Sequence, residues 1–219
     1  MLVRELQQLL AGLYGAEPAH DVRDFLVTDR ALLDVLESAA TRRDIDEKLL
    51  FVQHGDGLDM SLYLDAQVLE RLEQADPRDA LGTHNLADFW TVLEGVSHFN
   101  YLAWQAGRDQ CVTLMELEMQ AEVDKYLGTR VLLGAQPGSP LAGALLHCLF
   151  ELPVLHAALA AHEAERYRDA SHLAGRYCHH LERRWPGDRL APDMLDELRA
   201  FYRWPQPAKV SHIRATRFA

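Results

Sequence analysis

The chain has 219 residues, 48% of them hydrophobic and 25% charged, which sets it among ordinary globular proteins and outside the disordered class. Its formal net charge of −11 argues against nucleic acid and anionic membrane as partners, since both carry the same sign. Cys111, Cys148 and Cys178 form no CxxC pair, so zinc-finger and redox-motif chemistry is excluded and a reduced, cytoplasmic setting is expected.

From the amino end, Leu2, Leu6, Leu9, Leu10 and Leu13 repeat at helical spacing, and Gly15 and Pro18 close the run. Arg4, Glu5, Gln7 and Gln8 interrupt any secretory apolar core there. A second helix is expected from Val22 to Ala40. Residues 48–64, LLFVQHGDGLDMSLYLD, read as a β-hairpin: the Gly55-Asp56-Gly57 turn permits positive φ angles, and Leu58, Met60, Leu62 and Leu64 alternate. Two strands alone are marginal in water, so the hairpin must pack on helices.

Asp65 is a candidate cap for a short helix reaching Glu73. A long helix is expected from Asn85 to Ala106, and Thr113-Leu-Met-Glu116 reads as a capping box opening another that ends at Leu127-Gly128. AQPGSP at 135–140 is the clearest loop and the candidate hinge. Helices are then expected over Leu141–Glu151, Val154–Arg168, Asp169–Arg184 and Pro192–Tyr202, with Pro153 and Pro186 as breaks. The apolar stretch from Leu141 to Ala161 carries His147, Glu151, Pro153 and His156, which argues against a membrane span. Lys209, Arg214 and Arg217, near the C-terminus, read as a solvated basic tail. The sum is a mainly α (α+β) fold of about eight helices packed around a single β-hairpin. It forms one domain over 1–219, with the hinge at 135–140 dividing a hairpin-containing N-terminal part from a helical C-terminal part.

The residues with chemical potential fall between 86 and 126. Glu94 and His98 stand one helical turn apart and project from one stripe, with Trp90 and Tyr101 on its shoulder. A carboxylate and an imidazole so placed can hold one metal ion or share a charge-assisted hydrogen bond. In LMELEMQAEVDKYL, Glu118 and Glu122 repeat the spacing, with Lys125 on the same stripe and apolar residues on both flanks. Two carboxylates at that spacing repel, and between apolar flanks they require a cation or a shared proton. Plainer roles fit the same residues: an ordinary helical pair for Glu94–His98, a capping partner for Glu116, a solvated ladder for Glu118, Glu122 and Lys125. Walker A, GxGxxG and GxSxG patterns are absent.

FWTVLEGVSHFNYL resembles the first site helix of minimal gluzincin-type, zincin-like metallopeptidases, with Glu94 and His98 at the two ligand positions. EMQAEVDKYL resembles their second, with Glu122, Asp124 and Tyr126 in the matching run, and the resemblance spans roughly residues 48–127. It implies one divalent metal held by Glu94, His98 and Glu122, with Glu118 beside them and Tyr101 or Tyr126 orienting substrate. Glu94 stands where that family has His, and Gly95 where it has its general-base Glu, so peptide hydrolysis loses its proton acceptor. A Glu-His-Glu set is more oxygen-rich than His-His-Glu, which favours Mn or Fe over Zn.

Two function classes follow. The first, favoured by the missing base, is a non-catalytic interaction or adaptor protein whose buried Glu/His network is structural. Its protein partner would dock on the aromatic cluster Phe201, Tyr202 and Trp204. The second is a metal-binding protein of degenerate zincin type, with Zn, Mn or Fe at Glu94, His98, Glu122 and Glu118 and hydrolysis as its corresponding chemistry. In both, Trp90, Tyr101, Lys125 and Tyr126 line the site or its network, and no other cofactor is expected.

Overall fold

The computed structural model describes residues 2–37, 45–55, 57–151, 160–187 and 190–216. The end of the second expected helix at Ala40, the turn residue Asp56, Pro153 with the expected helix start at Val154, His156 and Arg217 lie outside the described residues.

The described residues are mainly helical with a small sheet, as the sequence patterns require. Helix α1 (Leu2–Tyr14) is followed by a 3-10 turn (Val22–Phe25), strand β1 (Leu26–Val27), helix α2 (Arg30–Leu36), and strands β2 (Glu47–His54) and β3 (Gly57–Leu64). Then come α3 (Ala66–Gln74), α4 (Leu86–Ala106), α5 (Leu114–Gly134), α6 (Ala161–Arg184), α7 (Pro192–Arg203) and α8 (Gln206–Ala215). The hairpin forms where alternation places it, pairing His54 with Gly57 around Gly55, whose φ is +57°. The second expected helix breaks up instead. Asp21 and Asp29 cap successive short turns, and between them Leu26 and Val27 pair in parallel with Leu62 and Tyr63, giving a sheet of order β1-β3-β2.

Three boundaries depart from the patterns. Gly128 does not end α5, because its missing Cβ is a packing device: a methyl there would stand 2.6 Å from Leu93 Cδ2 on α4. The expected break at Asp169 is absent, and α6 runs unbroken over 24 residues. The stretch from Leu141 to Glu151 is a 3-10 turn and a π-helical turn rather than an α-helix. One cluster of buried apolar side chains runs from Val3 to Ile213. The loop at 135–140 is fastened to the N-terminal part by Gln136, whose side chain bonds Leu81 N at 2.7 Å and Pro77 O at 2.8 Å.

The paired helices α4 and α5 are the centre of the molecule. A helix covered on one side shows one apolar stripe, but α5 has 15 buried residues, five of them charged: Glu116, Glu118, Asp124, Lys125 and Arg130. Each buried ion costs on the order of several kcal/mol of desolvation and must find a partner. Those partners come from α1, α4, α6 and α8. Of the basic residues in the C-terminal tail, Arg214 is exposed as a solvated terminus requires, but Lys209 on α8 is fully buried, its Nζ 4.3 Å from the Tyr101 ring centroid and bonded to Tyr101 Oη at 2.7 Å and Gln120 Oε1 at 3.0 Å.

The aromatic cluster expected to bind a partner also faces inward. Tyr202 stacks on Tyr14 with ring centroids 4.0 Å apart, and Phe201 on Tyr177 at 3.9 Å. Both are buried, and Trp204 is half-buried beside His212. Phe201 and Tyr202 are core residues because α7 has an apolar face that docks on α1 and α6, so the aromatic run is covered by its own chain.

Candidate metal centre

The site begins with a close approach. Gly95, in the middle of α4, has no Cβ where one would stand 2.9 Å from Glu47 Cγ and from Leu62 Cδ1. The start of β2 therefore lies directly on α4. Glu47 pairs across the sheet with Leu64, and Leu49 with Leu62, so Glu47 occupies the core-facing row of leucines. That register aims a carboxylate at the helix face carrying Glu94 and His98.

Glu47, Glu94 and His98 each offer one ligand atom within 4.8 Å of the others, the one such group among the described residues. His98 Nδ1 is 3.4 Å from Glu47 Oε1, and its Nε2 is 3.7 Å from Glu118 Oε2. His98 Nε2 is buried without a hydrogen-bond partner. Glu94 Oε2 lies 2.5 Å from Lys125 Nζ, which also donates to Glu122 Oε1 at 2.8 Å. Burial, then the charges of Glu118, Glu94 and Glu47, push up the pKa of the Tyr167 hydroxyl on α6.

Four carboxylates thus converge with one imidazole and one ammonium. Burial pushes the Glu47 carboxyl up, opposed by His98, and raises that of Glu122 as well. Burial also acts on Glu94, but the charges of Lys125 and His98 outweigh it and hold the carboxyl below its usual range. For His98, burial disfavours the imidazolium, yet the flanking Glu118 and Glu47 overcome it and raise the pKa well above that of free imidazole. Burial disfavours the Lys125 ammonium too, but Glu122 and Glu94 hold its pKa above the usual range. A divalent cation would bind by displacing the proton on His98 and one carboxylate's hold on Lys125.

The sequence-designated residues divide into three neighbourhoods. Glu94, His98 and Glu118 meet at the centre, with Lys125 and Glu122 one step outward; Glu122 touches Lys125 and is not in the three-ligand group. Tyr101 belongs to a second network on the α8 side. It donates to Glu116 at 2.6 Å and accepts from Lys209, whose ammonium burial pushes down to about 8. Thr113 caps α5 by accepting from Glu116 N at 3.1 Å, but the Glu116 carboxylate turns inward instead of closing a capping box. Asp124, aligned in sequence with the second metallopeptidase helix, is bonded to Tyr14, to Ser97 at 2.6 Å and to Gln120 at 2.9 Å. Tyr126 donates to Glu182 on α6 at 2.5 Å, and Trp90 clips α4 to α5 through Thr129 Oγ1 at 2.8 Å.

Sequence reasoning missed Glu47 and Tyr167. The available signal for Glu47 was its place two residues before Leu49 at the start of the hairpin, in the inward row; Tyr167 had none, because its role depends on how α6 crosses α5. No protein-family profile, curated protein or solved structure matches this chain.

Proposed function

We propose that the protein binds one divalent transition-metal ion at Glu47, Glu94 and His98, with Glu118 as an adjoining carboxylate. The observation that carries this reading is a buried imidazole whose Nε2 has no hydrogen-bond partner, set among carboxylates whose donor atoms lie within 4.8 Å of one another. A buried polar atom left unmatched costs roughly 1–3 kcal/mol, and a metal ligand relieves that cost. Two carboxylates and one imidazole form an oxygen-rich set that suits Mn or Fe as well as Zn. Three protein donors leave coordination positions open, the arrangement found where a metal serves as a Lewis acid. The likeness to zincin-like metallopeptidases supports the placement of Glu94 and His98. Gly95 beside Glu94 supports a role other than their peptide hydrolysis.

The test is metal content by inductively coupled plasma mass spectrometry, after loading with Mn, Fe or Zn and desalting. Near-stoichiometric metal in the wild type, lost in Glu47→Gln and His98→Ala but kept in Tyr126→Phe, is the expected result. Metal-free wild type, or equal metal in all variants, would sink the proposal.

A second reading, an interaction protein, draws on a different surface from the aromatic cluster. Val35 on α2 is 78% exposed and Val52 on β2 is 54% exposed. Among the described residues strand β2 is at the edge of the sheet, where its outer backbone groups can accept a partner strand. The double variant Val35→Lys, Val52→Lys should abolish capture of a protein partner while leaving the fold intact. Capture unchanged in that double variant counts against this surface.

A further inference from the structure

Glu94 has two claimants. It belongs to the three-ligand group with Glu47 and His98, and it is also the nearest partner of the Lys125 ammonium, at 2.5 Å. Lys125 has another seat, Glu122, one turn earlier on its own helix, at 2.8 Å. Its side chain is only 11% exposed, so the ammonium cannot withdraw into bulk water while its helix stays in place. An ammonium and a dication on the same carboxylate lie well inside a Debye length of about 8 Å and repel without effective screening.

We propose that Lys125 is a built-in competitor for the metal: it holds Glu94 when the centre is empty and retreats to Glu122 when a dication takes Glu94. The inference rests on the metal-binding reading above. It gives Glu122 a role the ligand geometry does not, that of a parking place for the displaced cation. It also makes the centre selective. Ions with weak affinity for mixed nitrogen and oxygen donors, such as Mg and Ca, fail to displace the ammonium, whereas ions that bind imidazole strongly succeed. Lys125 is therefore a positioning residue that sets affinity without touching the metal.

The experiment is calorimetric titration of Mn and Zn into wild type, Lys125→Met and Lys125→Arg, and into Glu122→Gln made in both the wild-type and the Lys125→Met backgrounds. Lys125→Met should bind at least about tenfold more tightly than wild type, while Lys125→Arg, which keeps the charge, should not. Glu122→Gln should weaken binding in the wild-type background and have no effect in Lys125→Met, a coupling that a double-mutant cycle reads directly. Lys125→Gln carries the same expectation as Lys125→Met if the Met variant does not fold. Equal affinity in wild type and Lys125→Met would overturn the competition while leaving the metal centre standing. Weakening by Glu122→Gln in both backgrounds would overturn it by making Glu122 a ligand. Binding by none of the proteins would overturn the metal centre itself.

Discussion

His98 Nδ1 lies 3.4 Å from Glu47 Oε1, a contact that joins the middle of α4 to the first residue of β2 across 51 positions of the chain. It exists because Gly95, three residues before His98, lets the hairpin rest against the helix. The candidate centre is thus an interlayer contact, made where a sheet edge meets a helix face. Its geometry depends on the fit of those two layers.

That dependence gives the first prediction. Gly95→Ala inserts a methyl 2.9 Å from Glu47 Cγ and 3.1 Å from Leu64 Cδ2, so the hairpin must move away from α4. Overpacking of this kind costs about 1–3 kcal/mol. Urea unfolding should show a loss in that range, and metal affinity should fall although no ligand has changed. An unchanged denaturation midpoint would mean the hairpin is not seated as described.

The contact between α4 and α5 makes a second, compensable prediction. Gly128→Ala places a Cβ 2.6 Å from Leu93 Cδ2, a fully buried side chain with little room to yield. The single substitution should cost about 1–3 kcal/mol, and Leu93→Val alone about 1. Leu93→Val removes the obstructing methyl, so the double variant should lose clearly less than the sum of the two. Additive losses in equilibrium unfolding would refute the contact.

Lys209 anchors the last helix through charge. It is fully buried 3.6 Å from Glu116 Oε1, and Glu116 is itself buried. Lys209→Met keeps most of the volume but strands the carboxylate, with an expected loss of about 3–5 kcal/mol. Adding Glu116→Gln removes the stranded charge and should recover a large part of that loss. Recovery absent from the double variant would show that Lys209 acts by packing alone.

Asp124 supplies a pH dependence with a definite sign. Burial pushes its carboxyl up to about 6 from 3.8, against the bonds from Ser97, Tyr14 and Gln120. A raised acid binds its proton more tightly in the fold, so its contribution is fully present below about pH 4 and lost as pH rises through about 6. The swing is of order 3 kcal/mol from the size of the shift. Asp124→Asn removes this titration, so the stability of wild type relative to the variant should fall by that order between about pH 4 and about pH 7. A difference that is flat or rises with pH would exclude the raised pKa.

Much of the fold was legible because it follows from local rules. Leucine spacing marks α1, the Gly55 turn and the alternation after it mark the hairpin, and Thr113 marks the start of α5. Legibility failed where a residue's role is set by what crosses it. Gly128 looks like a helix end in a linear reading and is a contact with Leu93 in space. Leu26 and Val27 are too short a run to read as a strand, and form one only because β3 offers an open edge.

The sequence by itself determined that the chain is mainly helical with a hairpin, and that Glu94 and His98 share a helix stripe, since both follow from periods of 3.6 and 2. Tertiary structure decided that Glu47 completes their group, that Lys125 is shared by Glu94 and Glu122, and that Phe201, Tyr202 and Lys209 are enclosed. The physical reason is that α5 is covered on nearly every side, so its charged residues no longer mark a solvent face. Their meaning lies in partners from α1, α4, α6 and α8, which are brought to them by packing across distances that no local pattern records.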